Sequence, residues 1–348
     1  MDKAVTLARH PAAWNLPGYD GPAVLQPRVV TAPVRHDTDD PAIWIDPTDP
    51  ARSLVIGTDK DTDGALHAFD LNGRVVRTVS GLRRPNNVDI AAGVRLGGRE
   101  VAVAVTTERE ARRLRVFTVP DLQCVDQGDL LVFAGDPERA PMGVALYRRP
   151  RDGALFAIVG GKSGPTEGYL AQYRLEDDGG GRVRMTLVRH FGAYSGRKEI
   201  EAIAVDAELG YVYYSDERVG VRKYQADPDA TDADRELALF ATEGFAADHE
   251  GIAIYRTGPG TGYLAISDQQ ANAFQFFPRE GTTGRPHNHP ALARVPVAAL
   301  ECDGCEVTAE ALPGFPGGLF VAMSTDRTFH FYAWADLAEA AGLPRLQQ

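Results

Sequence analysis

The sequence lacks the long apolar runs that membrane-spanning helices require. Across its 348 residues, no stretch approaches the roughly 18 consecutive apolar residues of such a helix, so we expect no membrane partner. The first residues, MDKAVTLARHPAAWNLPGYDG, also lack the continuous apolar core of a signal peptide. We therefore expect either a cytosolic protein or a chain that begins at its mature end.

Cysteine is scarce, and its three copies are Cys124, Cys302 and Cys305. The last two have CxxC spacing, but the sequence contains no second pair with which to complete a zinc site. We therefore expect either a local disulfide or two plain small residues, in preference to metal or redox chemistry.

Positive charge is in deficit, since 37 Lys and Arg residues stand against 48 Asp and Glu residues, for a formal net charge of −11. This balance argues against nucleic acid as a partner. An anionic substrate is expected only where bound cations reverse the local sign of the charge.

Strand signals, by contrast, are abundant. Val, Ile, Tyr and Phe recur in alternating runs, and Gly, Asp and Asn turns separate these runs. A unit that comprises a polar or acidic lead and three short strands recurs six times, with leads 47 to 59 residues apart. The lead residues are Asp40, Asn87, Met142, Glu201, Glu250 and Asp303.

Units of this size, each made of a few antiparallel strands, predict an all-β fold, a six-bladed β-propeller. A β-sandwich would not produce so long a period. We expect one propeller domain over residues 1–348, in which 1–24 form an irregular extension and 25–34 supply a strand that closes the ring. The single helix is expected in WADLAEAAGL, near the C-terminus.

Equivalent positions in the blades of a propeller fall on a ring about the central axis, so the residues at the leads should meet at one mouth of the channel. So many acids repel one another unless cations lie among them. Oxygen ligands without clustered histidine or thiolate favour Ca²⁺ over zinc, copper or iron. This lead ring consists of Asp39, Asp40, Asn86, Asn87, Met142, Glu201, Asp248, Glu250 and Asp303.

The second strands of the blades should end at the same mouth and form a second ring there. Its members are Lys60, Arg109, Lys162, Glu217 and Gln269. The three cations come from consecutive blades and are the partners that phosphoryl oxygens require beside Ca²⁺. Taken singly, an acid before a strand is usually a turn residue, and a lysine is usually solvated. Here, however, acids recur at the same position of the repeat in four blades, and cations recur at the same position in three blades. This register favours a functional site.

Four segments of the chain, distributed from about His36 to Trp334, carry a family resemblance. They are DDPAIWIDPTDPARSLVIGTDKDTDGAL, RPNNVDI, ADHEGIAIY and DGCEV followed by GLFVA. Their residues and order resemble the β-propeller phytases, the calcium-dependent alkaline phytase family. The resemblance implies a 3-phytase type of enzyme that hydrolyses phosphomonoesters of phytate (inositol hexakisphosphate), using several Ca²⁺ ions and a metal-bound water. It also implies a secreted or periplasmic monomer whose partner is this small polyanion.

The resemblance assigns roles to individual residues. Lys60, Arg109 and Lys162 match phosphate-binding cations, and together with Glu201 and Glu217 they are expected to be catalytic. Positions expected to hold the catalytic calcium ions and their waters are Asp39, Glu201, Glu217, Asp248, Glu250, Gln269 and Asp303. Positions near an inner structural calcium site are Asp40, Asn87 and Asp89.

The chain departs from the family pattern at several positions. Met142 occupies a tyrosine position, Ser163 follows Lys162 where an acid is usual, and Val297 replaces an aspartate. The segments IEA (200–202) and AMS (322–324) also differ from the usual TEG and AQD. These changes could weaken one calcium site, alter the choice of substrate or mark a member with low activity.

Two other functions stay open on the sequence alone. A calcium-dependent lactonase or arylesterase would need few cations at the mouth, so Lys60, Arg109 and Lys162 argue against it. A non-catalytic or weakly active propeller would bind calcium and a phosphorylated ligand without turnover, and the changes at Met142 and Ser163 favour this alternative most.

Overall fold

The computed structural model describes residues 23–344, and within this range the chain folds into six antiparallel sheets. Their innermost strands contact one another in sequence order, and the innermost strands of the first and last sheets also touch. The sheets are therefore blades around a closed central channel, which confirms the prediction of a six-bladed β-propeller.

Within blades 1 to 5 the strands run outward from the channel in chain order. Blade 1 consists of Thr38–Trp44, Leu54–Asp59, Gly64–Phe69 and Val75–Leu82. Blade 2 consists of Pro85–Leu96, Arg99–Glu108 and Arg113–Val119. Blade 3 consists of Pro141–Arg148, Leu155–Gly161, Glu167–Asp177 and Val183–Ala193.

The second half of the ring repeats this plan. Blade 4 consists of Ile203–Asp206, Tyr211–Asp216, Gly220–Gln225 and Ala238–Phe240. Blade 5 consists of His249–Gly258, Thr261–Asp268, Ala273–Pro278 and Ala293–Pro296. Blade 6 consists of Cys305–Thr308, Leu319–Ser324 and Thr328–Ala333, and Val29–Val30 adds its outermost strand.

The N-terminal strand closes the ring, as predicted, although it is only two residues long. Val29 and Val30 pair antiparallel with Phe331 and His330 in the third strand of blade 6. The N–H of Thr31 donates to Phe329 O at 3.0 Å and extends the contact. Blade 6 is thereby built from both ends of the chain, which leaves no unpaired edge at the junction.

Aromatic side chains fill the contact between blades 6 and 1. Phe69 of blade 1 and Phe329 of blade 6 pack edge to face with ring centres 5.8 Å apart. Gly57 makes this approach possible, because a Cβ at that position would lie 2.3 Å from the Phe329 ring. Both rings are fully buried, so the junction is part of the hydrophobic core.

The predicted C-terminal helix is present as Trp334–Ala340, directly after blade 6. Trp334 stacks on Tyr255 of blade 5 with ring centres 3.6 Å apart. Cys302 and Cys305 are buried free thiols, which agrees with their interpretation as small packed residues and not with a disulfide. Among residues 23–344, no helix has the length and apolar character needed to cross a membrane.

Candidate active site

The first part of the lead ring is a set of contacts around Lys60, the residue that follows the second strand of blade 1. Its ammonium forms an ion pair with Asp39 and also lies 3.4 Å from Asp303 Oδ2. Gln269 of blade 5 donates to Asp303. Glu201, which belongs to blade 4, lies close enough for its charge to act on both Asp39 and Lys60. Residues of blades 1, 4, 5 and 6 thus meet at one mouth of the channel.

The second part of the ring lies on blades 4 and 5. Glu217, Asp248 and Glu250 surround the ammonium of Lys198, which lies 3.0 Å from Asp248 Oδ2 and 3.4 Å from Glu250 Oε1. Arg218 pairs with the other oxygen of Asp248 at 2.6 Å. Glu217 and Glu201 repel each other, which shows that the two parts are neighbours. We call the six carboxylates of both parts the acid cluster: Asp39, Glu201, Glu217, Asp248, Glu250 and Asp303.

The three predicted phosphate-binding cations occupy equivalent places in consecutive blades. Lys60, Arg109 and Lys162 each directly follow the second strand of their blade, and we call them the cation clamp. Arg109 contacts the Met142 sulfur, and Lys162 pairs with Glu199. Burial opposes the ionisation of Glu201, but the clamp charges outweigh it and hold the pKa of Glu201 below its usual value. The clamp therefore lies beside the acid cluster, and Glu201 is the member of the cluster on which all three clamp charges act.

The acid cluster carries more negative charge than its lysines neutralise. Burial, followed by neighbouring carboxylates, raises the pKa of Asp39 and of Glu250 well above their ordinary values. Burial likewise raises the pKa of Glu217 to about 8, although Lys198 opposes this effect. The cluster is therefore unfavourable without further positive charge.

The site's own oxygens fit a hard cation such as Ca²⁺. Asp39 Oδ2, Glu250 Oε2 and Asn86 Oδ1 are buried without a hydrogen-bond donor. Glu217 pairs with Lys198 by distance, but neither of its oxygens accepts a hydrogen bond of good geometry. Among the described residues, no three Asp, Glu, His or Cys side chains are already grouped as a metal site. Carboxylate and amide oxygens are nevertheless the ligands that Ca²⁺ prefers.

A set of buried acids that the sequence analysis did not single out directly precedes members of the second ring in the chain. They are Asp59, Glu108, Asp216 and Asp268, each the last residue of a second strand. Each accepts hydrogen bonds from backbone N–H groups of the loop that enters its own blade, for example Asp59 from Asp37 at 2.8 Å and Asp216 from Ser195 at 3.0 Å. Their signal is an acid directly before four of the five positions of the second ring, as in TDK, TER, SDE and SDQ, whereas Lys162 follows Gly161.

The predicted inner site lies deeper in the channel. Asp40, Asn87 and Asp89 line a cavity of about 430 Å³, and Glu306, which the sequence analysis missed, lies there as well. Asp40 and Asp89 accept backbone hydrogen bonds from Val88 at 3.1 Å and Leu146 at 2.7 Å. Burial raises the pKa of Asp89 to about 6 and that of Glu306 to about 8. Glu306 follows the lead residue Asp303 by three positions and Asp89 follows the lead residue Asn87 by two, so an acid shortly after the lead is the signal that could have found Glu306.

Together, the fold and this mouth define a β-propeller enzyme whose site combines clustered carboxylates with a row of cations. The family model described as Phytase matches residues 24–330, so the chain belongs to the phytase family. The 3-phytase of Bacillus subtilis (strain 168) is 28% identical over 324 residues, which cover 87% of this chain and 81% of that protein.

Two solved structures also align with the chain, at low similarity. The Dos1 propeller has a TM-score of 0.44 and 12% identity, covering 85% of this chain and 68% of that one. A chain of the nidogen/laminin complex has a TM-score of 0.45 and 11% identity, covering 80% of this chain and 96% of that one.

Proposed function

We propose that the protein is a calcium-dependent phosphomonoester hydrolase that acts on phytate. The observation that carries this proposal is the row of cations on three consecutive blades, Lys60, Arg109 and Lys162, beside a buried excess of carboxylates. Membership of the phytase family and the name of the Bacillus relative support the choice of substrate. A secreted or periplasmic location, expected from the family resemblance, is part of this proposal.

The acid cluster and Gln269 would hold the calcium ions. When bound, Ca²⁺ would supply positive charge for a polyanionic substrate and would polarise a phosphoryl oxygen. An acidic protein can accept a polyanion in this way, because the bound cations reverse the sign of the charge at the mouth. The buried oxygens of Asp39, Glu217 and Glu250 that lack hydrogen-bond donors support this assignment.

The cation clamp would bind the phosphate that reacts. Lys60 and Arg109 are partly buried, so their attraction for phosphate oxygens is less screened than that of solvated side chains. Lys60 is also held between Asp39 and Asp303, which fixes its direction before substrate arrives. In the transition state these charges would stabilise the negative charge on the equatorial phosphoryl oxygens.

The test is phosphate release from phytate by protein freed of metal, with and without added calcium. We expect release only with calcium, and we expect Lys60→Met to lower kcat/KM by about 100-fold or more, the scale of losing one charged donor. Arg95→Met, at an exposed residue on the opposite end of blade 2, is the matched control. Undiminished release in a chelator would exclude the calcium requirement. Binding of phytate without any release would favour the non-catalytic alternative.

A further inference from the structure

Lys198 is a cation of the mouth that belongs to neither predicted ring. It lies in the loop that leads into blade 4, three residues before Glu201. Its ammonium contacts Glu217, Asp248 Oδ2 at 3.0 Å and Glu250 Oε1 at 3.4 Å. All three partners are carboxylates that we assign to calcium. The lysine therefore occupies the space among them with a positive charge of its own.

The loop that carries Lys198 is anchored at several points. The Tyr194 hydroxyl donates to the Lys198 carbonyl. Ser195 donates through its hydroxyl to Asp216 at 2.6 Å, and the N–H of Glu217 donates to Glu199 O at 3.4 Å. The backbone of Lys198 is thus held beside the end of the second strand of blade 4. Its ammonium is placed among the acids by the fold and is not a solvated side chain that reaches them by chance.

The surroundings of Lys198 strengthen its ion pairs. The side chains of Glu217, Asp248 and Glu250 are 0%, 5% and 3% exposed, and that of Lys198 is 27% exposed. Burial works against the charged ammonium, but Glu250 and Glu217 outweigh it and raise the pKa of Lys198. The lysine is therefore charged at neutral pH, as lysines ordinarily are. A divalent cation can use all three carboxylates only if these ion pairs open.

We propose that Lys198 is a tethered competitor of divalent cations at the subsite formed by Glu217, Asp248 and Glu250. It is a specificity-determining residue, because it sets how much calcium the mouth needs before this subsite fills. An ammonium offers three donors and one positive charge, so it satisfies the three acids in part and lowers their attraction for a second cation. The inference rests on the proposed function, in that it takes this mouth to bind Ca²⁺.

The neighbouring lysines do not have this arrangement. Lys60 also pairs with two acids, but it is a member of the cation clamp that faces substrate. Lys162 is about half exposed and pairs only with Glu199, which lies outside the acid cluster. Arg218 contacts Asp248 alone, from a side chain that is 50% exposed. Among the described cations of the mouth, Lys198 is the one enclosed by three members of the acid cluster.

The test is direct measurement of calcium binding by calorimetry, on protein stripped of metal and without substrate. Lys198→Met keeps the aliphatic stem and removes the charge. We expect it to bind calcium at this subsite at least about tenfold more tightly than the wild type, the scale of one hydrogen bond to a charged group. Lys198→Arg, which keeps the charge, should stay within about threefold of the wild type on the same scale.

Arg197→Met is the matched control, because it removes one positive charge from an exposed residue of the same loop. We expect it to change calcium affinity by less than about twofold, as for a screened surface charge. If Lys198→Met does not fold without calcium, Lys198→Gln replaces it in the test. This variant also lacks the positive charge, so we expect the same gain in calcium affinity, and its amide keeps a hydrogen-bond donor beside the acids.

The outcomes separate this inference from the proposed function. If the wild type binds calcium and Lys198→Met binds it with equal or weaker affinity, the role proposed for Lys198 is wrong. The proposed calcium site would then still stand. An equal gain in Lys198→Met and Arg197→Met would also overturn the role of Lys198, because net charge alone would then explain the effect. A complete lack of calcium binding in the wild type and all variants would overturn both.

Discussion

Lys223, in the third strand of blade 4, is a buried lysine that contacts no member of the acid cluster. Its side chain is fully buried, and its ammonium donates to Pro286 O at 2.7 Å. It also lies 3.2 Å from His289 Nε2 and 3.8 Å from the centre of the Tyr211 ring. Because burial disfavours the charged form, the pKa of Lys223 is lowered to about 8.

This lowered pKa predicts a change of stability with pH that Lys223→Met should abolish. The unfolded lysine titrates near its ordinary value of 10.5, so between about pH 8 and that value the unfolded chain binds more protons than the folded one. The free energy of unfolding therefore rises with pH in this window. Below the window, the full cost of burying the charged lysine applies. Between about pH 7.5 and about pH 10, the wild type should gain roughly 2 kcal/mol of unfolding free energy relative to Lys223→Met.

Urea denaturation of both proteins at several pH values measures this difference. The hydrogen bond to Pro286 is made by the same ammonium that titrates, so its change with pH is already part of the lowered pKa of Lys223. Packing changes in the variant contribute only a constant offset. A difference between the two proteins that stays constant from about pH 7.5 to about pH 10 would contradict the lowered pKa.

At the scale of elements, the innermost strands approach each other very closely around the channel. Gly143, in the innermost strand of blade 3, packs against the Glu201 carbonyl at the entrance to blade 4, and a Cβ there would lie 1.7 Å from that oxygen. Only a backbone shift can relieve such a contact. The position of Glu201, and with it the contact between the clamp and the acid cluster, depends on this glycine.

We therefore expect Gly143→Ala to displace Glu201 and to lower kcat/KM for phytate by about 100-fold, the cost of roughly 1 Å of misplacement at a reacting group. Gly135→Ala is the control, since a Cβ there meets no atom within 4 Å. Activity, together with the free energy of unfolding in urea, distinguishes a displaced site from a general loss of structure. Full activity of Gly143→Ala would show that the strand contact does not position Glu201.

The sequence predicted the inner three strands of each unit but not the outermost ones. The inner strands have long alternating apolar runs and sharp turns. The outer strands of blades 4 and 5, Ala238–Phe240 and Ala293–Pro296, have three and four residues and follow irregular loops. Such short strands are defined by pairing with the neighbouring strand and not by their own pattern. The outer strands of blades 1 and 3, Val75–Leu82 and Val183–Ala193, are longer but have few buried positions, so they lack the apolar alternation of the inner strands. Only Val29–Val30 was expected among them, because a closed ring needs an N-terminal strand.

At the scale of the whole molecule, the rings at the mouth were predictable because propeller symmetry turns chain register into spatial position. Every member of the second ring directly follows a second strand, as the repeat required. Lys198 was not predictable in this way, since it lies in a loop whose path depends on Tyr194 and Ser195. Residues that repeat with the blades can be placed from the sequence, whereas residues that act from the connecting loops need the folded structure.

The symmetry of the propeller depends on closure of the ring, and substitutions at Thr31 can test this closure. Its N–H donates to Phe329 O at 3.0 Å, and its hydroxyl accepts from Phe329 N at 2.9 Å. Thr31→Pro removes both bonds, so we expect it to lower the unfolding free energy by about 3 kcal/mol, whereas Thr31→Val, which keeps the N–H, should cost about 1 kcal/mol. The opened third strand of blade 6 should also promote association, visible by light scattering, because it presents an unpaired edge. Equal stability and equal dispersity of the two variants would show that this junction does not hold the ring closed.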